Sequence, residues 1–240
     1  MSPKFRPLSP GSFHRGSGAQ KRTTLPFQPA RTLVRVSMSS RSHSTSLSCR
    51  RALRVLGVDP ALAGATGYGI VEFEGSQSRM IRFGALKLPA RATHASRLRE
   101  VHQLISELVE EFSPDAVAVE SVFTALNMGT ALKLAEMRGV VLLAAAQAQV
   151  PAHSYSPREV KSSVAGFGGA SKQQMQQMVS SLLGLTDYPE PYDAADALAV
   201  ALCHAHLSQA RDRLARATGL RVPNHAARTQ SRSSRIPILR

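Results

Sequence analysis

At 240 residues the chain suits one ordinary domain with extensions, and its net charge of +14 invites a nucleic-acid partner. The charge is uneven: residues 1–54 carry +11 without one acid, residues 55–207 carry −4, and residues 208–240 carry +7. That pattern excludes a basic folded surface and leaves basic ends, which add salt-sensitive, non-specific affinity for phosphates. Two cysteines, Cys49 and Cys203, exclude a disulfide framework, and no apolar run approaches the 18 residues of a membrane span.

Residues 1–53 are rich in Ser and Arg and hold five prolines (Pro3, Pro7, Pro10, Pro26 and Pro29). Acid-poor leaders of this kind resemble transit peptides, but the prolines oppose a presequence helix. A disordered basic extension is expected, either a transit peptide or the product of a misplaced start. Residues 211–240, with the same Arg and Ser bias, are expected to be a basic disordered tail. The domain then spans residues 54–210.

Arg54–Val58 reads as a buried strand that ends on Asp59, followed by Pro60 and glycines at 64, 67 and 69. Tyr68–Phe73 and Met80–Leu88 read as two further strands joined by the polar turn Glu74–Gln77, which makes an antiparallel meander. A helix follows, with Leu98, Val101, Ile105, Leu108 and Phe112 on one face. Ser113-Pro114-Asp115 stops it. Ala116–Val119 is a short strand ending on Glu120, and the helical crossover predicts that it lies parallel to the first.

A long helix over Asn127–Gln149 is apolar almost all round, which predicts burial in a core or against a second subunit. Pro151–Tyr155 is a brief strand. Ser156, Pro157 and Glu159 form a capped helix start. Gly166, Gly168 and Gly169 read as a flexible loop. Lys172 then opens a helix with Met175, Met178, Val179 and Leu182 on one face, the methionines as core filler. The last helix begins at Asp193-Ala-Ala-Asp196 and packs through Leu198, Ala201, Leu202 and Ala205.

Asp193 and Asp196, three apart, share one helix face about 5–6 Å apart. If that helix crosses the sheet, it brings both to Asp59 and Glu120. Two carboxylates about 4 Å apart repel by roughly 4 kcal/mol at an effective dielectric of 20, so four together call for cations or protons. Oxygen ligands favour Mg²⁺, with Mn²⁺ as a substitute. A pair of such ions suits hydrolysis of a phosphodiester.

Several stretches, taken in order, are similar to the RuvC family of crossover junction endodeoxyribonucleases, or Holliday-junction resolvases. They are Gly57-Val58-Asp59-Pro60 with Thr66-Gly67-Tyr68-Gly69, Val119-Glu120-Ser121-Val122-Phe123, and Ala131-Leu132-Lys133-Leu134 with Arg138-Gly139-Val140. They continue through Val160-Lys161, Val164–Gly168 and Lys172–Met175 to Asp193–Ala199. The resemblance covers residues 54–207. It implies a ribonuclease-H-like α/β fold, with a mixed five-stranded sheet (an antiparallel meander plus parallel strands) flanked by helices. It implies a homodimer that makes paired symmetric nicks in four-way junction DNA with two Mg²⁺ per subunit. Asp59, Glu120, Asp193 and Asp196 are its implied catalytic metal ligands. Phe123 matches an aromatic that stacks at the junction centre, and Lys161 and Lys172 match DNA-facing positions. The RuvA–RuvB branch-migration complex is the implied partner. The bacterial cytoplasm is the implied compartment, with plastid or mitochondrion as the alternative if residues 1–53 are a transit peptide.

Ala61 stands where the family usually has Gly, and Leu126 where Lys is common. Another nuclease of the same fold (a ribonuclease H or an rRNA-processing enzyme) would share the acids but not Phe123 or the Val160–Lys172 segment. An actin-like ATPase or sugar kinase would need a second strand–Asp–Gly half, which the chain does not contain.

Overall fold

The computed structural model describes residues 52–60, 65–121 and 127–219. Five strands are β1 (Leu53–Asp59), β2 (Thr66–Glu74), β3 (Gln77–Leu86), β4 (Ala116–Glu120) and β5 (Ala152–Tyr155). Five helices are α1 (His94–Phe112), between β3 and β4, α2 (Met128–Gln147), between β4 and β5, then α3 (Pro157–Ala165), α4 (Lys172–Leu183) and α5 (Tyr192–Thr218). The sheet order is β3-β2-β1-β4-β5. β1 pairs antiparallel with β2 and β2 with β3, while β1–β4 and β4–β5 are parallel. The meander and the parallel half expected from the sequence are both present.

Each face of the sheet carries its own core. Val55 points to the side covered by α3, α4 and α5, whereas Leu56 and Val58 point to the side covered by α1 and α2. Cover on both faces is why β1 reads as an unbroken apolar run. At the start of β1 the Arg54 N–H donates to the Asp115 carboxylate (2.9 Å), and the Arg54 guanidinium bridges Glu72 and the Phe112 carbonyl. These bonds hold the beginning of β4 beside β1.

Local chemistry ends the helices. Ser113 closes α1 in the left-handed region (φ 45°), its N–H donating to the Val109 carbonyl. The Ser156–Glu159 capping box begins α3 as the sequence predicts, and Ser171 with Gln174 forms a second box at α4.

Of the two settings expected for α2, a core of this chain covers only one side, and burial against a second subunit stays open for the other. It buries Met137, Val141, Ala144 and Ala145 toward α1 and the sheet, and leaves Leu132 59% and Leu143 52% exposed. One neighbouring layer covers one face of the helix, and the opposite face has no neighbour among the described residues. Met178, expected as core filler, is exposed instead, because the inward stripe of α4 runs through Met175, Val179 and Leu183. In the 166–169 loop Gly166 caps α3, and Gly168 lies against the Arg158 side chain. α5 also runs past residue 210 to Thr218.

Candidate active site

Strand alternation decides where the two strand-end acids point. Val55 and Gly57 on β1 face α5, so Asp59, two residues on, faces it too. Ala118 on β4 faces the same side, which carries Glu120 there. The β1–β4 register runs to Val58 opposite Val119, and the next residues on the two strands are Asp59 and Glu120. Two carboxylates therefore emerge side by side at the carboxyl ends of parallel strands, where ligands of open α/β sheets bind.

α5 reaches this edge because glycines let it approach. A Cβ on Gly57 would stand 2.1 Å from the Ala197 carbonyl oxygen, and one on Gly67 would stand 1.8 Å from the Asp193 carbonyl oxygen. Gly67 is also the antiparallel partner of Asp59. The first turns of α5 thus rest on the ends of β1 and β2, with Asp193 and Asp196 above Asp59. The sequence signal for this was Gly57 itself, an isolated glycine inside an apolar strand.

A cleft of about 270 Å³ opens here, with Asp59, Glu120, Asp196, Lys161, Lys172 and Met175 among its walls. Lys161 comes from α3 and Lys172 from the first residue of α4. Asp193 is not part of the cleft wall, although its charge reaches both Asp59 and Asp196. Phe123, like Ala61 and Leu126, lies outside the described residues.

The acids oppose one another's ionisation. Burial first, then the charges of Glu120 and Asp196, push Asp59 up to about 8. Burial also raises Glu120, against the pull of a hydrogen bond from Asp59 and the positive charges of Lys161 and Lys172. Asp196 is raised by burial, with Lys172 acting against it. The hydrogen-bond interaction between Asp59 and Glu120 raises the first and lowers the second, so of the two Asp59 ionises with more difficulty.

This donor set fits a hard cation. The cleft wall offers carboxylate oxygens and no His or Cys. A carboxyl held well above its ordinary range marks a site with surplus negative charge. Among the described residues, no three His, Cys, Asp or Glu side chains are gathered at metal-ligand spacing.

Beneath the cleft, Tyr155, the β5 partner of Glu120, shares a 2.8 Å hydrogen bond with buried His204 of α5. The His153 ring lies 4.6 Å from that of His204. This group ties α5 to the edge strand, and no sequence motif signalled it.

Residues 55–204 match the family profile described as "Crossover junction endodeoxyribonuclease RuvC". A curated relative of that name from Chloroflexus aurantiacus is 49% identical over 154 residues, covering 64% of this chain and 93% of the relative. Another from Natranaerobius thermophilus is 44% identical over 160 residues, covering 67% and 99%. The chain is also similar to the solved structure of Thermus thermophilus RuvC, with TM-score 0.62 and 35% identity over 66% of this chain and 97% of that one. A structure of T. thermophilus RuvC in complex with Holliday junction substrate gives TM-score 0.60 and 33% identity, covering 66% and 96%.

Proposed function

The chain belongs to the RuvC family of crossover junction endodeoxyribonucleases, and from that premise we propose that it is a Holliday-junction resolvase making paired symmetric nicks as a homodimer. The observation that carries this is the meeting of Asp59, Glu120 and Asp196 in one cleft walled by Lys161 and Lys172. Lysines in an otherwise acidic domain are what a phosphodiester needs to enter a negative site.

In this mechanism Asp59, Glu120, Asp193 and Asp196 would hold two Mg²⁺ ions, with Mn²⁺ as a substitute. Bound there, the cations would supply Lewis acidity for in-line attack of water on the phosphodiester, leaving a 5′-phosphate. Ligation would require the acids in their ionised form. Lys161 and Lys172 draw the scissile phosphate in and hold it against the acids. Phe123 stacks at the opened junction centre, where an aromatic face accepts any unpaired base.

The homodimer reading is supported by the uncovered face of α2. Met128, Leu132, Ala135, Gly139 and Leu143 recur at helical spacing and are all exposed, and nothing lies within 4 Å of a Cβ on Gly139. Two such faces together would bury both stripes. Residues 54–210 are proposed as the nuclease domain, with 1–53 and 211–240 as basic extensions that add salt-sensitive affinity. The RuvA–RuvB machine is the proposed partner and the bacterial cytoplasm the proposed compartment; the relatives compared are bacterial.

A synthetic four-way junction with Mg²⁺ tests the function. Symmetric nicks with 5′-phosphates are expected, lost in Asp59→Asn while junction binding survives. Equal cutting of plain duplex or of an RNA–DNA hybrid would overturn it.

A further inference from the structure

The connection from α3 to α4 presents an aromatic ring from a rigid base. Gly166 closes α3 in the left-handed region (φ 83°), its N–H donating to the Ser162 carbonyl at 3.1 Å. Ser171 opens α4 through its capping box: the Gln174 N–H donates to the Ser171 hydroxyl (3.2 Å), and the Ser171 N–H donates to the Gln174 side chain (2.8 Å). Between these caps Ala170 is buried, and Gly168 sits so close to Arg158 that a Cβ there would stand 2.7 Å from Cγ. The backbone of this loop is anchored at every second or third residue. Its one large apolar side chain, Phe167, is nevertheless 50% exposed.

Cationic residues flank Phe167 along the chain. Lys161 and Lys172 both line the cleft, six residues before it and five after it. Arg158, against which Gly168 packs, is exposed on the first turn of α3. The neighbouring acid, Glu159, is engaged by the Ser156 N–H and hydroxyl at 2.8 and 2.7 Å. An exposed ring on the loop that joins two helices, each giving a lysine to a phosphate-accepting cleft, fits the pattern by which proteins hold unpaired nucleotides: cations take phosphates and the ring takes a base face.

We propose that Phe167 is a DNA-contacting residue whose ring stacks on the base next to the scissile phosphate and fixes the register of the cleaved strand. The proposal rests on the assignment of the chain as a junction nuclease. It gives the cleft two aromatic contacts with different tasks, Phe123 at the junction centre and Phe167 beside the cut. Because stacking strength differs among bases, Phe167 also contributes to the choice of cleavage site.

The test uses four-way junctions carrying single 2-aminopurine substitutions on either side of the cut, bound by the full chain with Asp59→Asn to keep the DNA whole. A fluorescence change on binding is expected at one position next to the cut. It is lost when Phe167→Ala is added and kept when Phe167→Tyr is added. In the active protein Phe167→Ala slows cleavage about 5- to 100-fold and spreads the cut positions. Its thermal unfolding stays unchanged, since a half-exposed ring adds little to the core. An identical fluorescence response with and without the ring would overturn the role of Phe167 and leave the resolvase assignment standing. A wild-type protein that leaves the junction uncut would overturn that assignment, and the role of Phe167 with it.

Discussion

Gly67 and Asp193 are in backbone contact: a Cβ at position 67 would stand 1.8 Å from the Asp193 carbonyl oxygen and 3.0 Å from the Ala194 nitrogen. Gly67 is at the same time the β2 partner of Asp59. One glycine thus sets the distance between the acid at the end of β1 and the acids at the start of α5.

Gly67→Ala should separate them. The added methyl cannot fit without moving backbone, which costs about 1–3 kcal/mol of stability. Displacing α5 by even a fraction of an ångström misplaces Asp196, so junction cleavage should fall about 100-fold. Lys161 and Lys172 are untouched, so binding measured by gel shift should persist. Full cleavage by a folded Gly67→Ala protein would show that α5 need not sit so close.

Asp59→Asn should abolish cleavage and stabilise the protein. Folded Asp59 titrates near 8 against an ordinary 3.8. Over that window the folded chain keeps a proton that the unfolded chain releases, so this group makes stability fall as pH rises from about 4 to 8. Asparagine carries no such cost. Its gain over wild type should be largest at pH 8 and vanish near pH 4. Thermal melts across that range measure it. Mg²⁺ should raise the melting temperature of the wild type and raise that of the variant less.

His204 should make the protein sensitive to acid. Its burial, with the nearby His153 and Arg211 charges, holds it down to about 4 against an ordinary 6.5. The unfolded chain therefore binds the extra proton first: this contribution is complete above 6.5 and is lost as pH falls toward 4. Between pH 7.5 and pH 5 it amounts to about 2 kcal/mol. Urea unfolding of wild type and His204→Gln should show a flatter profile in the variant. Parallel profiles would assign the acid sensitivity elsewhere.

Leu132→Glu should yield a monomer. Leu132 lies on the uncovered α2 face, where burial against a second copy would contribute about 1.5–3 kcal/mol per side chain. Two introduced carboxylates facing each other would add repulsion. Light scattering should report half the wild-type mass with an unchanged melting profile at low concentration, and paired nicking should become single nicking. An unaltered mass would move the dimer interface off α2.

Much of the fold is legible locally. The runs around Val55–Val58 and Ala116–Val119 identify their strands because both sheet faces are covered, and the Ser156–Glu159 box identifies α3 because capping involves only near neighbours. The candidate acids are legible as well, since Asp59 and Glu120 each terminate an apolar run and Asp193 and Asp196 share a helix face. Less legible was α2, whose apolar sequence predicts burial while its outer face has no cover among the described residues.

Periodicity along the chain was enough to assign most side chains to an element and a face, Met178 excepted, because strand and helix periods depend on residues a few positions apart. What took the fold to establish is that Asp59, Glu120 and Asp196 meet in one cleft and that Gly57 and Gly67 set how closely α5 approaches them. Each of those depends on a distance between elements. Such distances come from contacts between residues as far apart in the chain as Gly67 and Asp193, which no local pattern records.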